Sequence, residues 1–154
     1  MTQDEDYIPA AVAFELSGES KEGYEAVEAI LLFNDLIGAV TRKCVEVGSW
    51  MIGHVKATLN CDAGFISISS TTDDGRVHNR GELKGTMHRF DFVANVIVYG
   101  LSEKQVEGIF LEEVEKVLPG AKVEVVRDSG CEDPHCHDPS CHDPSHRKPI
   151  IPLG

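Results

Sequence analysis

No stretch of about 18 apolar residues occurs in the chain, so no membrane-spanning helix is expected. A basic and then apolar leader is missing as well. The opening residues carry Asp4, Glu5 and Asp6 and neither Lys nor Arg, so a secretory signal is not expected and the cytoplasm is the expected location. Cations are scarce: 14 Lys and Arg stand against 26 Asp and Glu, for a formal net charge of −12. Such a chain repels phosphate backbones, which argues against nucleic acid as a partner. The chain also lacks G-x-G-x-x-G, a Walker sequence and H-E-x-x-H. Nucleotide hydrolysis is therefore not indicated. Ser67, Ser69, Ser70, Thr71 and Thr72 give a hydroxyl-rich strand end, but no base-and-acid motif surrounds them to activate a nucleophile.

What the chain does have is five Cys and seven His, distributed unevenly. Cys131, Cys136 and Cys141 lie close to His135, His137, His142 and His146, whereas Cys44, Cys61, His54, His78 and His88 are scattered over the rest. In a cytosolic chain, clustered Cys signals metal or redox chemistry before it signals a disulfide framework.

The hydrophobic pattern divides the chain into an acidic, flexible lead over residues 1–10, a globular domain over 11–128 and a tail over 129–154. A short strand is predicted over 11–16, with Val12, Phe14 and Leu16 on one face. Ser17, Gly18, Glu19 and Ser20 read as a turn, with Ser20 as a helix N-cap. A long helix follows over 21–47. Its apolar residues (Val27, Ile30, Leu31, Phe33, Leu36, Ile37, Val40 and Cys44) recur at spacings of three and four, as a buried stripe requires. Gly48 is the expected stop.

Residues 50–61 change to a period of two, which predicts a half-buried strand with Met51, Gly53, Val55, Ala57, Leu59 and Cys61 on one face. Residues 62–64 read as a hairpin turn and 65–72 as the returning strand. The polar, Gly-punctuated stretch 72–85 is expected to be a loop. Residues 90–99, nearly continuous in β-formers, predict a central strand in which Asn95 and Tyr99 need partners if buried. Ser102 and Gln105 fit a capping box at the head of a second helix, whose stripe is Val106, Ile109, Phe110, Val114 and Val117. Pro119 and Gly120 end it, and a last strand follows over 122–127.

The order β-α-β-β-β-α-β describes an α+β two-layer sandwich, with a mostly antiparallel sheet and both helices on one face. A ferredoxin-like arrangement fits this order.

Beyond Gly130 the sequence becomes a pentapeptide repeat that starts at Cys131, Cys136 and Cys141, with His146 where the next Cys would fall. Pro134, Pro139, Pro144 and Pro149 recur in step. Proline removes a backbone donor and disfavours helix at the residue before it. A disordered tail is expected until an ion binds. Its thiols and imidazoles are soft and borderline donors. Three Cys and four His over residues 131–146 exceed the four ligands of one tetrahedral site. Two ions, or one ion exchanging among equivalent ligand sets, would use them. Thiols evenly five apart suit a labile site better than a closed structural one, and a labile site is what capture and hand-over require.

This tail resembles the His-rich C-terminal extensions of accessory proteins (metallochaperones) that deliver nickel to urease, hydrogenase or carbon monoxide dehydrogenase. The resemblance is confined to residues 131–146 and rests on composition. It implies nickel as cargo and a client metalloenzyme or its maturation machinery as partner. The present tail has nearly as many Cys as His, which keeps zinc, copper(I) and cobalt in view beside nickel.

Three readings follow from the sequence. The first is a metal-binding accessory protein, a homo-oligomer, with Cys131, His135, Cys136, His137, Cys141, His142 and His146 as ligands. The second is a small non-catalytic subunit or assembly factor of a larger metalloenzyme, with the first helix and Ile150, Ile151 and Leu153 as contacts. The third is a small enzyme whose pocket gathers His54, His78 and His88. The sequence favours a binding protein over an enzyme. Cys44, on the helix stripe, reads as a small core residue.

Overall fold

The computed structural model describes residues 8–126. Its elements run β1 (Ala10–Glu25), α1 (Ala26–Val47), β2 (Met51–Cys61), β3 (Gly64–Ser70), β4 (His78–Leu83), β5 (Thr86–Tyr99), α2 (Glu103–Val117) and β6 (Lys122–Val126). The class is α+β, as the hydrophobic periods imply. The strands form one six-stranded sheet in the order β4-β3-β2-β5-β1-β6, and every neighbouring pair is antiparallel. β5 lies between β1 and β2, and β1 lies between β5 and β6. That interleaving is the split βαβ, or ferredoxin-like, arrangement, with the β3–β4 hairpin extending one edge.

Alternation fixes which face is covered. Val12, Phe14 and Leu16 of β1 stand beside Val96, Ala94 and Phe92 of β5, and these stand beside Val55, Ala57 and Leu59 of β2. All nine are buried. The helices lie on this face. Phe110 of α2 stacks on Phe14, with ring centres 3.8 Å apart. Phe33 of α1 stacks on Phe92 and meets Phe90 edge-on. Among the described residues, no helix is long and apolar enough to cross a membrane.

The second helix begins as expected: Ser102 Oγ accepts from Gln105 N, and the Gln105 side chain accepts from Ser102 N, which completes the capping box. Gly48, at φ 138°, ends α1.

Five expectations need correction. The first strand is far longer than 11–16, because the long β5 offers it a partner beyond Leu16: Ser17 pairs with Asp91, Glu19 with Arg89 and, past a bulge, Tyr24 with Met87. Ser20 is therefore no helix cap. Its hydroxyl instead accepts from Gly23 N inside the bulge, and α1 starts at Ala26 with no side-chain cap. Val27 and Leu31 do not join the helix's buried stripe, being 67 % and 57 % exposed, because the buried face of α1 begins at Ala29 and Phe33. Part of the expected loop is strand β4, which makes the order β-α-β-β-β-β-α-β. Its sequence hides it: as an edge strand it buries Leu83 alone, so no alternation marks it. Finally, a bulge at Gly53 reverses the face at the start of β2, so that Ile52 is buried and Met51 is 43 % exposed. A Cβ at Gly53 would lie 2.9 Å from the Ile97 carbonyl oxygen, so only glycine fits the bulge without displacing backbone.

Candidate functional site

The seven expected metal ligands, Cys131, His135, Cys136, His137, Cys141, His142 and His146, lie outside the described residues, as do Ile150, Ile151 and Leu153. Their point of attachment is described. β6 pairs Lys122 with Ser17 and Val126 with Ala13, so it runs toward the end of the sheet where β1 starts and β5 finishes. Val126, the last described residue, therefore lies on an edge strand at that end.

His54, His78 and His88 do not converge. His54 stands opposite Ile97 on β5, and His88 lies nine residues earlier on the same strand, roughly 30 Å away at ~3.3 Å per residue. His78 pairs with Ser69, which pairs with Lys56. It shares the uncovered face with His54 but sits two strands across and one row down, roughly 12 Å off. Lys56 and Ser69 occupy the cross-strand positions between them, and no third ligand joins the two in a metal-holding group among the described residues. The pocket of the third reading does not form.

Each histidine has a local setting instead. His54 is part-buried, and that desolvation, with the Lys56 charge beside it, lowers its pKa below the usual imidazole value. His88 lies at the β2–β3 turn. Asp62 Oδ1 there accepts from the backbone N–H of His88 at 2.9 Å and of Arg89 at 3.2 Å, and Asp62 Oδ2 lies 3.4 Å from His88 Nδ1. The two backbone donors, His88 first, hold the Asp62 carboxyl below its ordinary pKa. Asp62 thus pins the start of β5 to the turn.

Of the two described thiols, Cys44 is a poor ligand. Cys44 is fully buried, and burial pushes its pKa up to about 11. It is a core residue, as its place on the helix stripe implies. Cys61 is half-buried, and desolvation raises its pKa too. Among the described residues, no group of three or more His, Cys, Asp or Glu is placed to hold a metal ion.

Ser67 and Ser69 face outward, while Ser70 is buried with its hydroxyl unpartnered among the described residues. The hydroxyls thus split between two faces rather than lining one site. Asn95 is exposed and needs no buried partner. Tyr99 supplies its carbonyl to Ser49 Oγ at 2.8 Å and rests its ring against Trp50, with centres 5.3 Å apart.

Two hollows escaped sequence reading. One, of about 220 Å³, lies between the β1 bulge and the end of α2, with Tyr24, Met87, His88, Phe90 and Leu118 in its wall. The bulge that creates it has no sequence signature beyond Gly23. Ordinary small-molecule pockets start at about 300 Å³, so it is small for a ligand site. The other, of about 190 Å³, is a depression in the uncovered sheet face, lined by Glu15, Ser17, Asp91, Val93, Lys122 and Glu124. Its polar rim comes from three strands brought together only by the sheet order.

No protein-family model matches the chain, and neither a curated protein nor a solved structure matches it.

Proposed function

We propose that the chain is a cytosolic metal-binding accessory protein. Its Cys/His pentapeptide repeats capture a transition-metal ion, nickel or zinc, and the protein delivers or stores that ion for a client metalloenzyme. The repeat itself carries the reading: Cys131, Cys136 and Cys141 recur in step, each beside a histidine or a carboxylate, with His135, His137, His142 and His146 among them. Such His/Cys-rich tracts bind metal by composition. The setting of the other thiols is consistent with it. A buried Cys44 with a raised pKa is a weak nucleophile and a weak ligand, since the thiolate is the species that coordinates. The sheet and helices serve as the tail's scaffold.

Deleting residues 129–154 tests this. Metal content is measured by mass spectrometry after anaerobic purification. Loss of bound metal with an intact circular dichroism spectrum is the expected result. Unchanged metal content refutes the tail as the site.

One observation favours the second reading, a small subunit or assembly factor of a larger metalloenzyme. Val27 and Leu31, one helical turn apart, are exposed on α1, and Trp50 and Met51 are 52 % and 43 % exposed at the start of β2. Lone exposed apolar residues are ordinary, but neighbouring ones mark contact surfaces. Co-purification of a large metalloprotein with the full chain, lost on Leu31→Glu or Trp50→Glu, would support this reading over free delivery.

A further inference from the structure

The helices cover one face of the sheet and leave the other bare. That bare face is built from rows of cross-strand neighbours that can be followed from edge to edge. One row runs Arg80, Ser67, Thr58, Val93, Glu15, Glu124 from β4 to β6. The next runs Glu82, Phe65, Asn60, Asp91, Ser17, Lys122. A third runs His78, Ser69, Lys56, Asn95, Ala13, Val126.

Charge is sorted along these rows. In the first, the cation lies on β4 and the anions lie on β1 and β6. In the second the order is inverted, with Glu82 on β4 and Lys122 on β6. A surface of this kind is complementary to itself. A two-fold axis parallel to the strands, between β2 and β5, lays each row over its own reverse. Arg80 then faces Glu124, Glu82 faces Lys122, and Asn60 faces Asp91. Thr58 faces Val93, and Ser69 faces Ala13. No like charges oppose one another in these three rows. For a chain of net charge −12, that arrangement keeps like charges from being set directly face to face at the contact.

Shape agrees with charge. The interior of the face mixes small side chains (Ala13, Ser67, Ser69, Thr58) with longer polar ones (Lys56, Asn60, Asp91, Asn95) that two sheets aligned at ~10 Å would interdigitate. Phe65 is the exposed large apolar side chain of these rows, at 45 %. Under the same axis it lies over Ser17, where the hollow lined by Ser17, Asp91 and Lys122 can receive its ring. Six strands at ~4.8 Å spacing, about 20 Å long, give a footprint of roughly 500 Å² before side-chain relief is counted. The standard interface covers about 800 Å² on each partner, so the area is of the right order.

We propose that the uncovered sheet face is the interface of a two-fold homodimer, in which β4 of each copy lies over β6 of the other. Such an interface is isologous and closes at two copies. The two copies of β6 then end, at Val126, at the same end of the dimer. The face would pair in this way whether or not the tail binds an ion.

Sedimentation equilibrium of the full chain tests the proposal. The wild-type chain is expected to dimerise. Arg80→Glu and Glu124→Arg, both at exposed edge positions, are each expected to weaken the dimer by about tenfold or more, since each sets like charges face to face. The double variant R80E/E124R restores the pairing with reversed sign and is expected to recover the dimer. Glu82→Lys, Lys122→Glu and their double variant form a second, independent set, and circular dichroism confirms the fold of each protein. A wild-type chain that stays monomeric overturns the proposal. So does a dimer indifferent to both sets of single variants, or double variants that recover nothing.

Discussion

The ring of Phe33 on α1 lies 4.6 Å from that of Phe92 on β5, centre to centre, with planes 27° apart. Both side chains are fully buried. This contact ties the longer helix to the central strand. Stacked aromatic pairs contribute about 0.5–1.5 kcal/mol beyond the area they bury.

Phe33→Ala removes the ring and leaves a cavity between helix and sheet. A loss of about 3–5 kcal/mol in unfolding free energy is expected, measured by urea denaturation. Val27→Ala, at an exposed position on the same helix, is expected to change stability by no more than about 0.5 kcal/mol.

Much of this fold is legible in the sequence, and the failures have physical causes. The stripe of α2 and its capping box follow from local spacing alone, and both form. The two faces of β3 alternate as Ile66 and Ile68 against Phe65 and Ser67 imply. The misread segments are those whose conformation is set by a distant partner. Residues 17–25 extend β1 because β5 is long enough to pair with them, which outweighs the turn preference of Ser17 and Gly18. β4 has no buried face of its own beyond Leu83, so period-two reading had nothing to detect. Of the site residues, the tail ligands are legible as composition. The rows joining Arg80 to Glu124 are not, because they exist only once the strand order is known.

Ser102→Ala removes the acceptor for Gln105 N and breaks the capping box at α2. A loss of about 1 kcal/mol is expected in the same urea experiment. Gln105→Ala should cost little more in that background, because the two groups act reciprocally.

Asp62 gives the domain a pH dependence whose sign can be worked out. Its folded pKa is depressed by the His88 and Arg89 backbone donors, so the folded state favours the charged carboxylate. That stabilisation is present above the unfolded carboxyl pKa of ~3.9 and is lost as pH falls through the lower folded value. Asp62→Ala is therefore expected to lower stability at pH 6, with the difference from wild type shrinking as pH falls below ~3.9. Chemical denaturation at a series of pH values measures it. A difference that grows on acidification contradicts the assignment.

Cys44 should resist modification. At pH 8 its thiol, with a pKa of about 11 and no exposure, is almost wholly protonated and unreachable. Alkylation of the native chain followed by peptide mass spectrometry is expected to leave Cys44 unmodified, and alkylation in denaturant to label it. Native labelling of Cys44 would mean that α1 opens readily from the sheet.

Cobalt(II) titration of the reduced full chain under anaerobic conditions tests tail metal binding most directly, because thiolate-to-cobalt absorption reports sulfur ligation. The absorption is expected in the wild-type chain and in C44S/C61S, to be lost in C131S/C136S/C141S, and to weaken as pH drops and the ligands protonate. Absorption that survives removal of the three repeat thiols, or vanishes with Cys44 and Cys61, contradicts the account.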